Sequence, residues 1–422
     1  MIPSLKRLDW RGFLARPQLP SPPDRLNALK QRPILITGAG GSIGSALALR
    51  LATIGVSRLV LLEASESNLY ALQRDWTKQI AQQAPSPRTE AEEHTSGAKA
   101  LVDLADLNVG AEAPTYQARG EGGLAALQDE SVERSCAATS MMPVLGSAAD
   151  RALLEEIFST HRPAIVFHAA AFKHVPLMEE QPLAAIANNI FGTETLTQAA
   201  AENGARVVLL STDKAVEPAS VMGATKRVAE QIVLNAGGTV LRLGNVLASR
   251  DSVAEVFAAQ IKHGGPVMVT DPAARRYFLT LDEAVNLLLA AATHPEPGTL
   301  LAPVLAMTHS IEDMARFMAQ ALRPDCEIAI EFTGRRAGDK QTERMWKSGE
   351  RTSPASLDGV VQVETNPLTG TQLESRLATL RTSLQDRDVA EALGALRALV
   401  PDFTPSRAVL NLAQQCSQRV CL

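Results

Sequence analysis

The residues best equipped for chemistry lie in one stretch, from 207 to 230. An apolar run at 207–210 predicts a buried strand. Ser211 follows it directly, and positions 212–214 then carry a hydroxyl, a carboxylate and an amine. A carboxylic acid beside an amine can perform paired acid and base steps on neighbouring carbon atoms. A methionine and a second lysine follow four residues apart on a predicted helix, so they share one face. The predicted catalytic residues are Thr212, Asp213, Lys214, Met222 and Lys226.

These residues need a scaffold that brings them to a ligand, and the start of the chain provides a candidate. A predicted strand at 33–37 is followed at once by a glycine-rich turn and then by a predicted helix at 42–54. Gly38 would permit the tight turn, Gly41 would let the backbone approach a pyrophosphate, and Gly44 would allow close packing of helix on strand. The predicted cofactor-binding residues of this turn are Gly38, Gly41, Ser42, Ile43 and Gly44.

The next predicted strand, 58–62, ends in Glu63. An acidic residue about 20 positions after such a glycine turn accepts hydrogen bonds from ribose hydroxyls and repels a 2′-phosphate, which favours NAD over NADP. The alternative interpretation is that Glu63 caps a helix. On the first interpretation, Glu63 belongs to the cofactor site.

A third group of candidates follows the predicted strand at 164–167. Three small side chains, Ala169, Ala170 and Ala171, would let a flat cofactor lie against the backbone, and Lys173 and His174 would then point toward a substrate. Asn189, near the start of the next long helix, is a further cofactor candidate. Strands that alternate with helices, with a glycine loop first, predict an α/β fold: a Rossmann-type doubly wound parallel sheet with a smaller C-terminal lobe.

The chain divides into four predicted regions. Residues 1–30 are an N-terminal arm, and 31–240 are the NAD-binding domain, with a low-periodicity insertion at 83–141 that we predict to be mobile. Residues 241–350 form the substrate lobe, and 351–422 form a helical segment. Dispersed polar residues of the lobe could close over a diphosphate, since the arginine fork matches phosphate oxygens, although singly each could be a surface charge. These residues are Asn245, Arg250, Arg276 and Arg336.

Composition excludes several classes of function. The formal net charge of -5 gives no reason to expect a nucleic-acid partner. No apolar run reaches the roughly 20 residues that span a bilayer, so no integral membrane segment is predicted. The four cysteines are scattered without the spacing of a metal site or a disulfide framework. We therefore expect a cytoplasmic protein without a metal site.

Several ordered motifs together resemble a known family. They are HAAAFKHVPLMEEQP, NNIFGT, LLSTDKAVEPASVMGATK, LRLGNVLASR, GGPVMVTDP, RRYFLT and TGRRAGDK. The chain is similar to the CapD-like polysaccharide biosynthesis family, of the UDP-N-acetylglucosamine 4,6-dehydratase type, within the extended short-chain dehydrogenase/reductase superfamily. The match covers 32–82 and 143–345 in detail. It implies a UDP-sugar substrate, bound NAD with NADP less favoured, and a homo-oligomer.

The resemblance also implies a mechanism. NAD takes a hydride from carbon 4 of the sugar, a proton leaves carbon 5, hydroxide leaves carbon 6 with a proton, and the hydride returns to carbon 6. Asp213 would protonate the departing 6-hydroxyl, Lys214 would take the carbon 5 proton, and Thr212 would hold the 4-hydroxyl. Lys226 would hold the nicotinamide ribose. The UDP group would lie beneath Asn245, Arg250, Arg276 and Arg336.

Two positions depart from the family pattern. Met222 stands where the superfamily's Tyr-x-x-x-Lys has tyrosine, and a thioether cannot accept the 4-hydroxyl proton, which must go to Lys214, a bound water or the Lys226 network. Ser147 stands where an aspartate often contacts the adenine. The alternatives are a UDP-sugar 4-epimerase, against which the Asp213–Lys214 pair argues, and a non-catalytic regulator that binds NAD or a sugar nucleotide.

Overall fold

The computed structural model of the protein describes residues 5–21, 25–83, 139–368 and 370–420. The predicted mobile insertion at 83–141 therefore lies almost entirely outside the described residues. Within them, no helix combines the length and the apolar character needed to cross a bilayer.

A large sheet forms the centre of the molecule. In the described residues it has nine strands in the order β14-β15-β11-β6-β5-β4-β1-β2-β3, where the labels follow the chain. The strands are β1 (Pro33–Thr37), β2 (Arg58–Glu63), β3 (Ser140–Leu145), β4 (Ile165–His168), β5 (Arg206–Thr212), β6 (Thr239–Leu243), β7 (Asn245–Val246), β8 (Val267–Val269), β9 (Arg275–Arg276), β10 (Phe278–Leu279), β11 (Leu300–Pro303), β12 (His309–Ser310), β13 (Ile330–Phe332), β14 (Thr352–Pro354) and β15 (Val360–Val363).

Helices cover both faces of this sheet. They are α1 (Trp10–Leu14), α2 (Ser42–Ile54), α3 (Glu66–Gln83), α4 (Arg151–His161), α5 (Val175–Glu180), α6 (Pro182–Ala185), α7 (Gly192–Glu202), α8 (Val221–Asn235), α9 (Val253–Lys262), α10 (Leu281–Ala292), α11 (Ile311–Leu322), α12 (Gly370–Gln385), α13 (Val389–Leu399) and α14 (Arg407–Val420). A π-helical turn, Ile186–Phe191, leads into α7.

The strands from β3 to β11 pair in parallel, and only β15 and β14 at one edge pair antiparallel in the described sheet. Parallel strands covered on both faces need continuous apolar sequence, and β1, β2, β4 and the first half of β5 have it. The predicted α/β, Rossmann-type fold is confirmed, and the carboxyl ends of β1, β4 and β5 meet at one edge of the sheet.

The second lobe has its own core, and the start of the chain is part of it. Phe257 and Ile261 of α9 pack with Met314 and Met318 of α11, and Trp10 of α1 lies in the same buried cluster. The predicted N-terminal arm is thus packed onto the lobe rather than extended.

A buried ion pair fixes the arm further along. The Arg16 guanidinium lies 2.7 Å from the Glu283 carboxylate of α10, which also accepts a hydrogen bond from the Leu19 backbone nitrogen. Because the pair is buried, removing one partner would leave an uncompensated charge between the arm and α10.

The structure divides the chain differently from the predicted boundaries. Residue 240 lies inside β6, and β11, β14 and β15 return to the central sheet from sequence assigned to the lobe and the helical segment. The second lobe consists of two stretches of the chain, one from about β7 to β10 and the other from about β12 to β13. Helices α12 to α14 pack on α5, α6 and α8 through a separate apolar cluster that includes Leu377, Leu393, Leu396 and Phe403.

Candidate active site

The acid and the amine predicted from the sequence meet at the carboxyl end of β5. Thr212 is the last residue of the strand, and Asp213–Ala215 form a short 3-10 turn. Thr212 Oγ1 donates a 2.9 Å hydrogen bond to Asp213 Oδ1, and Lys214 Nζ donates to the same oxygen at 3.0 Å. Lys214 Nζ also donates to Asn245 Oδ1 at 2.9 Å, which brings the first residue of β7 into the group.

One oxygen of the Asp213 carboxyl has no protein partner. The side chain is 0% exposed, Oδ1 takes both hydrogen bonds from Thr212 and Lys214, and Oδ2 has none in the described residues. Lys214 is 21% exposed and so lies between this carboxyl and the open side of the site. A buried polar atom without a partner costs free energy unless a ligand satisfies it. A hydroxyl group of a ligand would therefore form its most favourable hydrogen bond with this unpartnered oxygen.

Helix α8 supplies the methionine and the second lysine. Ser220 begins it, accepting a 3.1 Å hydrogen bond from the Gly223 backbone nitrogen. Met222 and Lys226 are buried one turn apart, and Lys226 Nζ donates to the Leu210 carbonyl of β5 at 2.7 Å. Burial lowers the pKa of Lys226 to about 8, against the smaller raising effect of the Glu230 carboxylate. A fraction of this amine is thus unprotonated near neutral pH.

A buried ionic cluster lies behind the lysine, and the sequence interpretation missed it. Glu230 accepts hydrogen bonds from Ser211 Oγ at 2.6 Å, from Arg242 at 2.8 Å and from Arg227 at 2.9 Å. Burial raises the pKa of Glu230, but the arginines outweigh it and the pKa falls to about 2. The available signal was Arg242 itself, a charged residue inside an apolar strand, which requires a buried counter-ion.

The glycine turn after β1 has the geometry of a phosphate-binding loop. Gly38 has φ +65°, and a Cβ atom there would lie 2.7 Å from the Ala170 backbone nitrogen. A Cβ atom at Gly44 would lie 2.2 Å from the Gly38 carbonyl oxygen, so only glycine allows α2 to start this close to the turn. The first backbone N–H groups of α2, at Ser42 and Ile43, lie at a helix N-terminus beside Gly41, and their role in binding an anion stays a prediction.

Glu63 lies where the sequence placed it, at the end of β2, and its carboxylate supports the turn. It accepts hydrogen bonds from the Gly40 backbone nitrogen at 2.9 Å and from that of Ser65 at 3.0 Å. Each oxygen accepts one hydrogen bond and keeps further lone pairs, so ribose hydroxyls could still bind. The ribose role remains a prediction.

The alanine loop after β4 is held in place by the side chain of Asn189. Asn189 holds both backbone groups of Phe172, with its Oδ1 accepting at 2.8 Å and its Nδ2 donating at 3.0 Å, and Nδ2 also donates to Thr225 Oγ1 at 3.1 Å. The predicted cofactor ligand Asn189 therefore fixes the loop that carries Ala169, Ala170 and Ala171.

His168, at the end of β4, is fully enclosed and joins β1 to α7. Its Nδ1 lies 2.7 Å from Thr37 Oγ1 and its Nε2 lies 2.9 Å from Thr193 Oγ1. Thr193 donates its own proton to the Asn189 carbonyl at 2.7 Å, so Nε2 must carry the ring proton and Nδ1 accepts from Thr37. Burial, with the charge of Lys226, lowers the pKa of His168 to about 3, and the ring is neutral.

The residues predicted to bind UDP are not brought to one point. Arg276 donates to the carbonyls of Lys340 and Gln341 at 2.8 and 2.9 Å and so holds backbone. Arg336 is exposed and pairs with Asp339 at 3.1 Å. His174 is exposed and precedes α5.

Lys173 and Arg250 lie together beside the glycine turn. Lys173 Nζ donates to the Arg250 carbonyl at 2.7 Å, and the Arg250 side chain reaches the Gly40 carbonyl at 2.8 Å. In the described residues, no cluster of three histidine, cysteine or acidic side chains could hold a metal ion.

The nine-stranded, mostly parallel sheet with a glycine turn after β1 and a lysine on α8 that reaches β5 defines the class of Rossmann-type α/β proteins. Within that class, the chain belongs to the polysaccharide biosynthesis protein family, whose model matches residues 34–92 and 113–365. The predicted resemblance to this family is confirmed, and the 4,6-dehydratase type stays a prediction.

Two curated relatives illustrate the range of this similarity. The capsular polysaccharide biosynthesis protein CapD of Staphylococcus aureus is 33% identical over 331 residues, which cover 76% of this chain and 46% of CapD. A UDP-glucose 4-epimerase of Rickettsia rickettsii (strain Sheila Smith) is 37% identical over 207 residues, covering 47% of this chain and 60% of the epimerase. The chain thus spans less than half the length of CapD.

Solved structures share the fold at low identity. Pen from Bacillus thuringiensis has a TM-score of 0.62 and 23% identity, with 81% of this chain and 90% of Pen covered. DesIV, a dTDP-glucose 4,6-dehydratase from Streptomyces venezuelae solved with NAD and TYD bound, has a TM-score of 0.52 and 16% identity, with 73% of this chain and 86% of DesIV covered.

Proposed function

We propose that this protein is a nucleotide-sugar 4,6-dehydratase that converts UDP-N-acetylglucosamine into a UDP-4-keto-6-deoxy sugar for polysaccharide biosynthesis. The observation that carries the proposal is the pair at the end of β5: a fully buried carboxyl with one free oxygen and an amine hydrogen-bonded to its other oxygen. A reaction that removes a proton from one carbon and hydroxide from the next needs such a pair.

The hydrogen bonds favour different roles for the Asp213 carboxyl and the Lys214 amine. Oδ1 of Asp213 is occupied by Thr212 and Lys214, so the free Oδ2 would hand its proton to the departing 6-hydroxyl, which leaves as water. Lys214 would take the proton from carbon 5 and return a proton to that carbon when the hydride reaches carbon 6, with its amine oriented by Asp213 and Asn245. Thr212 would hold the 4-hydroxyl. The acid and the base thus act on adjacent carbons from adjacent residues.

A nicotinamide dinucleotide suits the site at the glycine turn. The close approach of Gly38 to the alanine loop and the open N-terminus of α2 form a cradle for a diphosphate. When bound, the nicotinamide would accept a hydride from carbon 4 and return it to carbon 6. The carboxylate of Glu63 at the end of β2 favours NAD, because it would repel the 2′-phosphate of NADP.

The buried Met222 leaves the 4-hydroxyl proton without the usual acceptor. Lys214, a bound water and the Lys226 network are the three candidates that the residues allow. The pKa of Lys226, which burial lowers to about 8, supports the third, since the unprotonated amine could accept a proton. Its bond to the Leu210 carbonyl holds it in place for this role and for binding the nicotinamide ribose.

The experiment is an incubation of the purified protein with UDP-N-acetylglucosamine and NAD, without added reductant. We expect the mass of the nucleotide sugar to fall by one water. Asp213→Asn should block this elimination while NAD still binds, whereas Asp325→Asn, at an exposed position of the lobe, should behave as the wild type. A nucleotide sugar unchanged in both mass and configuration after long incubation with bound NAD would contradict the proposal and indicate a non-catalytic binder.

A UDP-sugar 4-epimerase is the second candidate, because a curated relative of that name is 37% identical over 207 residues. An epimerase would change the stereochemistry at carbon 4 and leave the mass unchanged. It has no use for an acid beside carbon 6, so Asp213→Asn should leave most epimerase activity intact.

A further inference from the structure

The loop that leads from β7 into α9 is fastened to the nucleotide-binding half of the molecule at Arg250. Arg250 Nη1 donates to the Gly40 carbonyl at 2.8 Å and to Asn68 Oδ1 at 3.0 Å. Its backbone nitrogen donates to Ser42 Oγ at 2.8 Å, and its carbonyl accepts from Lys173 Nζ at 2.7 Å. One residue of the lobe thus joins the glycine turn, α3 and the loop after β4.

The backbone of this loop is strained on both sides of Arg250. Ala248 has φ +54° and Asp251 has φ +56°, a left-handed conformation that residues with a Cβ atom adopt at a cost. Such a conformation persists only where the surroundings hold it. The four hydrogen bonds of Arg250 are those surroundings, which indicates that the loop is built to place this one side chain.

The place where Arg250 is held is the place where a dinucleotide diphosphate would bind. Gly40 and Ser42 belong to the glycine turn and the first turn of α2. Both side-chain bonds of Arg250 come from Nη1, so Nε and Nη2 have no partner in the described residues. The free edge of a guanidinium fork matches phosphate oxygens, and Lys173, a second positive charge, holds the backbone carbonyl of the same residue.

We propose that Arg250 closes the lobe over the diphosphate of the bound dinucleotide and thereby slows its release. One edge of the guanidinium holds the glycine turn, and the other edge binds phosphate. The inference rests on the proposed function, in which each turnover returns the dinucleotide to its starting oxidation state, so that the protein gains from retaining it. It also assigns Arg250 to the cofactor site, whereas the sequence pattern predicts that Arg250 binds UDP.

The test is the rate at which bound NADH leaves the protein when excess NAD is added, followed by the fluorescence of bound NADH. Arg250→Gln should release NADH at least about tenfold faster, the loss expected for one charge-assisted hydrogen bond. Arg250→Lys should give a smaller increase, because it keeps the charge and loses the fork. The matched control is Arg316→Gln, which removes an exposed arginine on α11 and should leave the rate unchanged.

Two further measurements separate phosphate binding from loop stability. The affinity for ADP-ribose, which has the diphosphate without the nicotinamide, should fall in Arg250→Gln by about the same factor as the affinity for NAD. Asn68→Ala, which removes one anchor of the guanidinium but no charge, should accelerate release by less. The melting temperatures of the unliganded variants should stay close to that of the wild type, because both backbone hydrogen bonds of residue 250 remain to hold the loop.

The outcomes distinguish this inference from the proposed function. Release from Arg250→Gln at the wild-type rate, or unchanged ADP-ribose affinity, would overturn the role of Arg250 and leave the dehydratase proposal standing. A wild-type protein that binds no dinucleotide at all would overturn both.

Discussion

Replacing the buried Lys226 by methionine should make the protein more stable at neutral pH while abolishing its activity. The Lys226 side chain is 5% exposed, and burial lowers its pKa from 10.5 to about 8. At about 1.4 kcal/mol per pH unit, this difference corresponds to about 3 kcal/mol by which the folded state disfavours the charged amine. This free-energy cost of folding is present in full below pH 8. It disappears as the pH rises from about 8 to 10.5, because over this range the folded state has lost the proton while the unfolded chain still binds it.

Methionine has a similar length and no charge. At pH 7, Lys226→Met removes the cost of about 3 kcal/mol and loses the hydrogen bond to the Leu210 carbonyl, which contributes about 1–2 kcal/mol. We expect a net gain of about 1–2 kcal/mol in the free energy of unfolding at pH 7. Above pH 10 the wild-type amine is neutral, so the same variant should be less stable than the wild type by about 1 kcal/mol.

The assay is urea-induced unfolding of both proteins at pH 7 and pH 10.5, with the turnover of UDP-N-acetylglucosamine measured at pH 7. Lys262→Met, at an exposed position on α9, is the control and should shift stability little and equally at both pH values. A Lys226→Met variant that loses the same stability at both pH values would refute the reasoning, since the amine would then carry no burial cost.

Two further substitutions test the scaffold. Glu230→Gln removes the fully buried carboxylate that Arg227 and Arg242 share and leaves them Glu350, at 3.7 and 3.9 Å, as a more distant partner. It should lower the free energy of unfolding by about 3–5 kcal/mol, measured by urea unfolding; a loss below about 1 kcal/mol would mean that the cluster is solvated. Gly44→Ala places a Cβ atom 2.2 Å from the Gly38 carbonyl and should cost about 1–3 kcal/mol and weaken NAD binding. Gly394→Ala, in open space on α13, should instead add about 0.5–1 kcal/mol, and equal effects at the two glycines would contradict the packing argument.

The parts of the fold that the sequence predicted are those with local signals. Buried parallel strands such as β1 and β5 are continuous apolar runs, and the glycine turn has its residues at fixed spacing. The pairing of Asp213 with Lys214 was predictable for the same reason, because neighbours at the end of a strand cannot be far apart.

The parts that the sequence did not predict depend on contacts between distant segments. Nothing near Trp10 shows that α1 packs against α11, and nothing near residue 300 shows that β11 pairs beside β6. The arginines of the lobe are an example: their type indicates phosphate binding, but only the fold shows that Arg276 donates to backbone carbonyls and that Arg250 reaches the glycine turn.

The central claim is that a proton and a hydroxide leave adjacent carbons while a hydride moves from carbon 4 to carbon 6 of the same sugar. The most direct measurement is mass and NMR analysis of the product formed from UDP-N-acetylglucosamine that carries deuterium at carbon 4. The account predicts a product lighter by one water, with the deuterium at carbon 6. A product of unchanged mass, or a dehydrated product from which the deuterium has been lost, would contradict it.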